Sequence, residues 1–258
     1  MIFPLADDNS DRASFPIINV TLIAVNVLVF VFLQGMGENL KFTYALSTVP
    51  AEISSGADLV TADQTVLVDS IDGPQQITIP GLQKTPVPVY FTLLTSMFMH
   101  GGLMHLAGNM WFLWIFGDNI ENDLGRLRYI MFYLLCGIVA SLAHVLPNLT
   151  GPASLMPSLG ASGAISGVMG AYLVLHPRRR VTVLVLRMLT EVPGYIAVGV
   201  WFLFQILSSL GGTESGVAYG AHIGGFVAGV IFAKPFMVGR ESASPNAWRS
   251  ARYTNRMR

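Results

Sequence analysis

The chain has 258 residues, of which 52% are hydrophobic and only 12% are charged. Soluble globular domains carry about 25% charged residues, so this composition excludes an ordinary soluble domain and indicates an integral membrane protein. The formal net charge is zero, from 15 basic and 15 acidic residues, but the two signs are unevenly placed along the chain.

Six apolar runs predict six membrane-spanning helices. A hydrocarbon core of about 30 Å needs about 17 to 25 residues per helix, and continuously apolar runs favour helices over a membrane β-barrel. The runs lie at residues 16–34, 102–117, 127–146, 160–176, 193–210 and 217–236. We therefore expect an all-α, polytopic membrane domain at residues 16–236, preceded by a short N-terminal segment at residues 1–15.

The first run does not have the form of a cleavable signal peptide. Asp7, Asp8 and Asp11 precede it, where a signal peptide carries basic residues. We expect this span to remain in the mature protein.

A long loop, residues 35–101, separates the first two spans. Residues 50–88 mix Asp, Gly, Thr and Pro with β-prone pieces such as 65–68, which favours an exposed loop with a hairpin. Residues 89–101 are apolar but too short to span, so we expect them to lie in the membrane interface or to re-enter the bilayer.

Basic residues predict the orientation, because they translocate poorly. With six spans, Lys41 and Lys84 fall on one side, which makes the loop at 35–101 external. We expect both termini to be cytoplasmic and the membrane to be a prokaryotic plasma membrane. The basic tail at 237–258 is expected to be solvated or to lie on the membrane surface, and not to bind nucleic acid. The basic residues assigned to the cytoplasmic side are Arg12, Arg126, Arg128, Arg178, Arg179, Arg180, Arg187, Lys234, Arg240, Arg249, Arg252, Arg256 and Arg258.

Three polar side chains on three spans lie at one depth. At 1.5 Å per residue, Ser162 is about 24 Å along its helix from the cytoplasmic edge, His222 about 18 Å and His105 about 20 Å. No Asp, Glu, Lys or Arg lies deep in any span. Ionisable groups at such depth are candidates for function, because burying them without a partner is costly.

Spacing within the helices favours close contact between them. Gly225 and Gly229 follow His222 at i+3 and i+7, and Gly163 and Gly167 form a similar row beside Ser162. Small residues at this spacing let two helices pack closely. On the second span, Asn109 stands four residues after His105, so both side chains share one helix face.

These residues form three motifs that resemble the rhomboid family of intramembrane serine proteases. They occur in the expected order on the second, fourth and sixth spans, and the likeness covers nearly the whole six-span body. The motifs are His100-Gly101-Gly102-Leu103-Met104-His105-Leu106-Ala107-Gly108-Asn109-Met110, Gly160-Ala161-Ser162-Gly163 and Ala221-His222-Ile223-Gly224-Gly225.

The resemblance implies a serine endopeptidase that cleaves transmembrane segments of membrane proteins within the bilayer. Ser162 would be the nucleophile and His222 its general base, a dyad without a carboxylate. His105, Asn109 and the backbone N–H groups of Ser162 and Gly163 would form the oxyanion hole. Neither a cofactor nor a metal ion is expected, and the oligomeric state does not follow from these residues.

Two departures from the family pattern stand out. Ser166 occupies a position where many relatives carry an aromatic residue that packs on the histidine, and the long loop lacks the Trp-Arg pair of some relatives. Glu121 and Arg126 resemble a family pattern near the cytoplasmic side, and we predict a structural role for them.

Other functions are less well supported by the sequence. A catalytically silent rhomboid-like protein that binds membrane clients is the main alternative. Such a protein would be free to lose Ser162 or His222, whereas this chain has both. A channel or transporter would need a charged intramembrane path, which the spans lack. A zinc protease would need an H-E-x-x-H motif, which is also absent.

Overall fold

A computed structural model describes residues 2–70, 73–210 and 217–240 of the chain. Most of the tail predicted at 237–258 therefore lies outside the described residues. In chain order the helices are α1 (Ile17–Leu28), α2 (Leu40–Ala45), α3 (Pro50–Ser55), α4 (Thr92–Thr95), α5 (Leu103–Leu124), α6 (Arg126–Val145), α7 (Ser162–Leu175), α8 (Gly194–Leu210) and α9 (Tyr219–Met237).

Helices α1, α5, α6, α7, α8 and α9 coincide with the six predicted apolar runs. A π-helical turn, Val29–Leu33, extends α1, and α5 continues past the predicted end of its run to Leu124. Within the described ranges, two helices are long and apolar enough by themselves to cross a membrane, Arg126–Asn148 and Tyr219–Met237. The shorter apolar helical segments are Ile17–Leu33, Val89–Phe98, Ser162–Leu175 and Gly194–Leu210.

The prediction of an all-α chain is wrong, because the described residues include five strands; the chain is mostly helical. β1 (Ile2–Asp7), β4 (Arg180–Val185) and β5 (Met188–Pro193) form an antiparallel sheet in the order β1-β4-β5. β2 (Gln64–Ser70) and β3 (Gly73–Ile79) form a hairpin, as the β-prone texture of the long loop predicted. The first sheet was missed because β1 and β4 are far apart in sequence, and local patterns do not specify such pairing.

Close backbone contacts join α7 to α9 in the centre of the bundle. A Cβ atom on Gly229 would overlap the carbonyl oxygen of Gly167, and one on Gly167 would overlap the side chain of Cys136 on α6. The predicted glycine rows therefore do form a helix interface. Cys136 is fully buried in it as a small core residue.

The acidic end of α5 is held by contacts within the protein. Glu121 accepts hydrogen bonds from the backbone N–H groups of Ile18, at 3.1 Å, and Asn19, at 2.7 Å, at the start of α1. These N–H groups have no partner within their own helix, so the carboxylate caps α1. The contacts agree with the structural role predicted for Glu121.

The N-terminal strand is tied to the same end of the bundle. Asp7 accepts hydrogen bonds from Asn119 on α5 and from Tyr172 on α7, the latter at 2.9 Å. Nearby, Arg128 on α6 donates to the carbonyl of Val238 at 2.8 Å. The N-terminal strand and the end of α9 therefore lie at the same end of the molecule.

The long loop packs against the segment that leads into α7. Thr48 and Ser158 exchange backbone hydrogen bonds of 2.9 and 2.8 Å, and the N–H of Gly160 donates to the carbonyl of Ser96 at 2.9 Å. The loop thus fixes the backbone immediately before Ser162.

Candidate active site

Ser162 is the first residue of α7 and is half-buried. The chain reaches it through Gly160, whose φ of +122° is a conformation that residues with a side chain rarely adopt. A Cβ atom on Gly160 would also lie 2.9 Å from the ring of His105. A glycine is therefore required here for both backbone and steric reasons.

Ser162 and His222 are hydrogen-bonded across the α7–α9 interface. The Oγ of Ser162 lies 2.8 Å from the Nε2 of His222, although 60 residues separate them in sequence. The serine hydroxyl is thus directed at a nitrogen that can take its proton, the contact that nucleophilic catalysis by serine needs.

A third side chain completes this arrangement. The Nδ1 of His222 lies 2.7 Å from the Oε1 of Gln205, a buried residue of α8. Gln205 is not among the site residues predicted from the sequence, because the sequence does not show which hydrogen-bonding side chain of another helix faces the histidine. The available signal was the single amide side chain, that of Gln205, in the apolar run at 193–210.

Aromatic rings flank the imidazole of His222. The ring centroid of Trp201, one helical turn before Gln205 on α8, is 6.2 Å away at an interplanar angle of 36°. Tyr219 lies edge-on at the same centroid distance. Ser166 is fully buried and donates to the carbonyl of Ser162 at 2.6 Å, so Trp201 supplies the aromatic neighbour that position 166 lacks.

His105 and Asn109 lie beside the serine across Gly160. A Cβ on Gly160 would be 2.9 Å from the Nε2 of His105 and 3.7 Å from the Nδ2 of Asn109. Asn109 is buried, and its Nδ2 has no hydrogen-bond partner among the described residues. Buried amide groups are nearly always paired, so this unpaired donor indicates a place for a ligand or substrate oxygen.

The N-terminus of α7 adds backbone donors. Because Ser162 and Gly163 are the first two residues of the helix, their N–H groups have no acceptor within it. The helix dipole also favours negative charge at this end. The structure therefore brings together all of the predicted site residues, Ser162, His222, His105, Asn109 and Gly163.

A narrow pocket opens beside the serine between α6, α7, α9 and the segment before α7. It is lined mostly by small residues, which include Ser96, Ser141 and Ser158. Such a pocket suits a water molecule or a small side chain. Within the described residues, no three His, Cys, Asp or Glu side chains cluster as metal ligands.

Comparison with known proteins identifies the same family as the sequence motifs do. The family model described as "Rhomboid domain" matches residues 88–238, more than half of the chain. This chain belongs to the rhomboid family. The match includes every residue of the candidate site.

Named relatives of this rhomboid chain come from yeast, human and a bacterium. Rhomboid protein 1, mitochondrial, of Saccharomyces cerevisiae is 35% identical over 159 residues, which cover 58% of this chain and 43% of the yeast protein. The human presenilin-associated rhomboid-like protein, mitochondrial, is 32% identical over 164 residues, covering 55% of this chain and 42% of the human protein. Rhomboid protease GluP of Bacillus subtilis is 33% identical over 147 residues, covering 56% of this chain and 25% of that protein.

The relatives differ from this chain in length, and several of them are mitochondrial. The matched region spans less than half of the length of each of these proteins. The expectation of a prokaryotic plasma membrane, with both termini in the cytoplasm, is wrong on this finding, because the yeast and mammalian relatives are mitochondrial by name.

Proposed function

We propose that this rhomboid chain is an intramembrane serine endopeptidase that cleaves transmembrane segments of membrane proteins. The observation that carries the proposal is the 2.8 Å contact between the Ser162 hydroxyl and the His222 imidazole. That contact joins two helices inside an apolar bundle, where an unneeded polar pair would be a cost.

In the proposed reaction, the Ser162 Oγ attacks the carbonyl carbon of the scissile peptide and His222 Nε2 takes the hydroxyl proton. The carbonyl oxygen becomes an oxyanion in the tetrahedral intermediate. As this intermediate collapses, the C–N bond breaks and His222 returns the proton to the leaving amine. A water molecule then hydrolyses the acyl-enzyme by the same route and frees Ser162.

The oxyanion would be bound by backbone and side-chain donors from two helices. The N–H groups of Ser162 and Gly163 approach from the start of α7, and the amide of Asn109 and the ring of His105 approach from α5. The Nδ2 of Asn109 supports this assignment, since it is unpaired within the part of the chain that the structure describes. Fixed donors at a developing charge are typically the largest single contribution to such catalysis.

The membrane arrangement is part of the proposal. We propose that α1, α5, α6, α7, α8 and α9 each span the bilayer, with the loop at 35–101 on the side nearer the site. The substrate helix would need to unwind locally to reach Ser162, and the small-walled pocket favours a small residue at the cut. The mitochondrial relatives favour a mitochondrial membrane as the location.

Covalent labelling by a fluorophosphonate probe in mild detergent tests the proposal. We expect the wild-type protein to label, and both Ser162→Ala and His222→Ala to lose labelling while remaining folded. Ser209→Ala is the matched control and should label normally, because Ser209 is exposed on α8 and its hydroxyl donates to the carbonyl of Ile206. A folded wild-type protein that does not react, while an active rhomboid reacts beside it, would favour a silent client-binding protein instead.

A further inference from the structure

The carbonyl group of Gln205 faces the ring nitrogen of His222 that the dyad leaves unused. The Oε1–Nδ1 distance of 2.7 Å is as short as the bond to Ser162 on the other side of the ring. Gln205 is buried, with 7% of its surface exposed. We propose that Gln205 is a positioning residue that makes His222 a base toward Ser162; this inference rests on the proposed function.

The reason is which ring nitrogen of a neutral imidazole carries the proton. A neutral ring carries one N–H, and its other nitrogen has a free lone pair. When Oε1 of Gln205 accepts the Nδ1–H, the lone pair is left on Nε2, where it faces the Ser162 hydroxyl. If the proton were on Nε2 instead, the ring would donate to Ser162 and could not take its proton.

The hydrogen bond between Gln205 and His222 also orients the ring after proton transfer. Once His222 has taken the serine proton, both ring nitrogens carry hydrogens, and the Nδ1–H still points at a carbonyl oxygen. The Gln205 carbonyl therefore does the orienting work that a carboxylate does in serine protease triads. Because an amide is neutral, it does so without the cost of burying another charge in the apolar bundle.

The neighbouring helix provides the rigidity that positioning requires. Trp201 and Gln205 are four residues apart, so they share one face of α8, and both contact the imidazole. Trp201 limits the tilt of the ring, while Gln205 limits its rotation and selects its tautomer. Helix α8 thus acts on the reaction through His222.

The test compares rates of fluorophosphonate labelling across pH for the full chain carrying Gln205→Leu, Gln205→Met and Gln205→Glu. Without the acceptor, we expect Leu and Met variants to label on the order of 10- to 100-fold more slowly, the range typical when a hydrogen-bond partner of a metal-binding histidine is lost. Glu keeps an acceptor, so it should retain most of the rate. Its negative charge should move the acid limb of the profile to higher pH, because imidazolium is then favoured.

The outcomes separate this inference from the proposed function. If the wild type labels and both the Leu and Met variants match it in rate and pH profile, Gln205 has no positioning role and the dyad stands. If the folded wild type does not label, the proposed function fails and this inference fails with it. Should the Leu variant not fold, the Met variant, which has nearly the shape of glutamine, decides the question. Ser209→Ala on the same helix is the control for general effects on α8.

Discussion

Gly225 on α9 lies directly against Gly163 on α7. A Cβ atom on Gly225 would overlap the backbone carbonyl oxygen of Gly163, so the two helices touch backbone to backbone. Ser162 adjoins Gly163, and His222 lies one turn before Gly225. This contact between glycines therefore sets the 2.8 Å separation of the proposed dyad.

Gly225→Ala should separate the helices and slow fluorophosphonate labelling. A methyl group that meets backbone cannot be accommodated by side-chain movement, and overpacking typically costs about 1–3 kcal/mol. A misplacement of about 1 Å in a catalytic contact can cost about 10²-fold in rate. The melting temperature and the labelling rate are both expected to fall. Gly199→Ala on α8 is the matched control, because among the described residues nothing beyond its own turn of the helix lies within 4 Å of its Cβ position. Equal behaviour of the two variants would contradict the prediction.

Gly160→Ala should impair the site more than Gly151→Ala does. Both glycines have positive φ, +122° and +76°, so both variants carry backbone strain. Only at position 160 would the new methyl press on the His105 ring, since at position 151 nothing in the described ranges lies within 4 Å. We expect both variants to lose stability by about 1 kcal/mol or more, but only Gly160→Ala to lose labelling strongly. Similar labelling rates in the two variants would show that the contact with His105 is unimportant.

Asn109→Ala should lower kcat while leaving KM and stability nearly unchanged. The Asn109 Nδ2 has no partner among the residues that the structure describes, so its removal breaks no hydrogen bond there. Loss of one oxyanion donor typically reduces the rate by about 10² to 10³. Cleavage of a model transmembrane substrate measures both constants, with Asn148→Ala as a control whose side chain donates to the carbonyl of His144. A change confined to KM would instead indicate a role in substrate binding.

Asp7 should make stability depend on pH near neutrality. Burial, with a smaller contribution from Asp118, raises the pKa of this carboxyl from 3.8 to about 7. At pH values between these two pKa values, Asp7 therefore keeps its proton in the folded protein and has lost it in the unfolded chain. The stabilisation is complete below the unfolded value and is lost as pH rises through about 7.

Melting temperatures measured between about pH 5 and pH 8 check this sign. We expect the wild type to become less stable across that window and Asp7→Asn to show a flatter profile. Asp8→Asn is the control, because a hydrogen bond with Ser10 lowers the pKa of the exposed Asp8 and keeps it ionised throughout. Identical slopes in the wild type and Asp7→Asn would rule out this account.

The sequence determined the helices, the family and the members of the proposed dyad. Apolar runs limit a segment to a helix, because a backbone in hydrocarbon must satisfy its hydrogen bonds within the segment. The fixed rise per residue of a helix then places Ser162, His222 and His105 at one depth from their positions in the sequence alone. The glycine rows likewise indicated which faces approach closely, and the structure confirms that contact.

Tertiary structure alone decided which side chains complete the site. Depth along a helix does not fix the direction in which the helix faces, so the contact of Gln205 and Trp201 with His222 depended on how α8 packs. The pairing of β1 with β4 was likewise invisible, because Asp7 and Val181 are neighbours only after the bundle has brought the chain's N-terminal segment beside the end of α7. Local pattern specifies an element and its depth; partners distant in sequence are specified only by the packing of the whole chain.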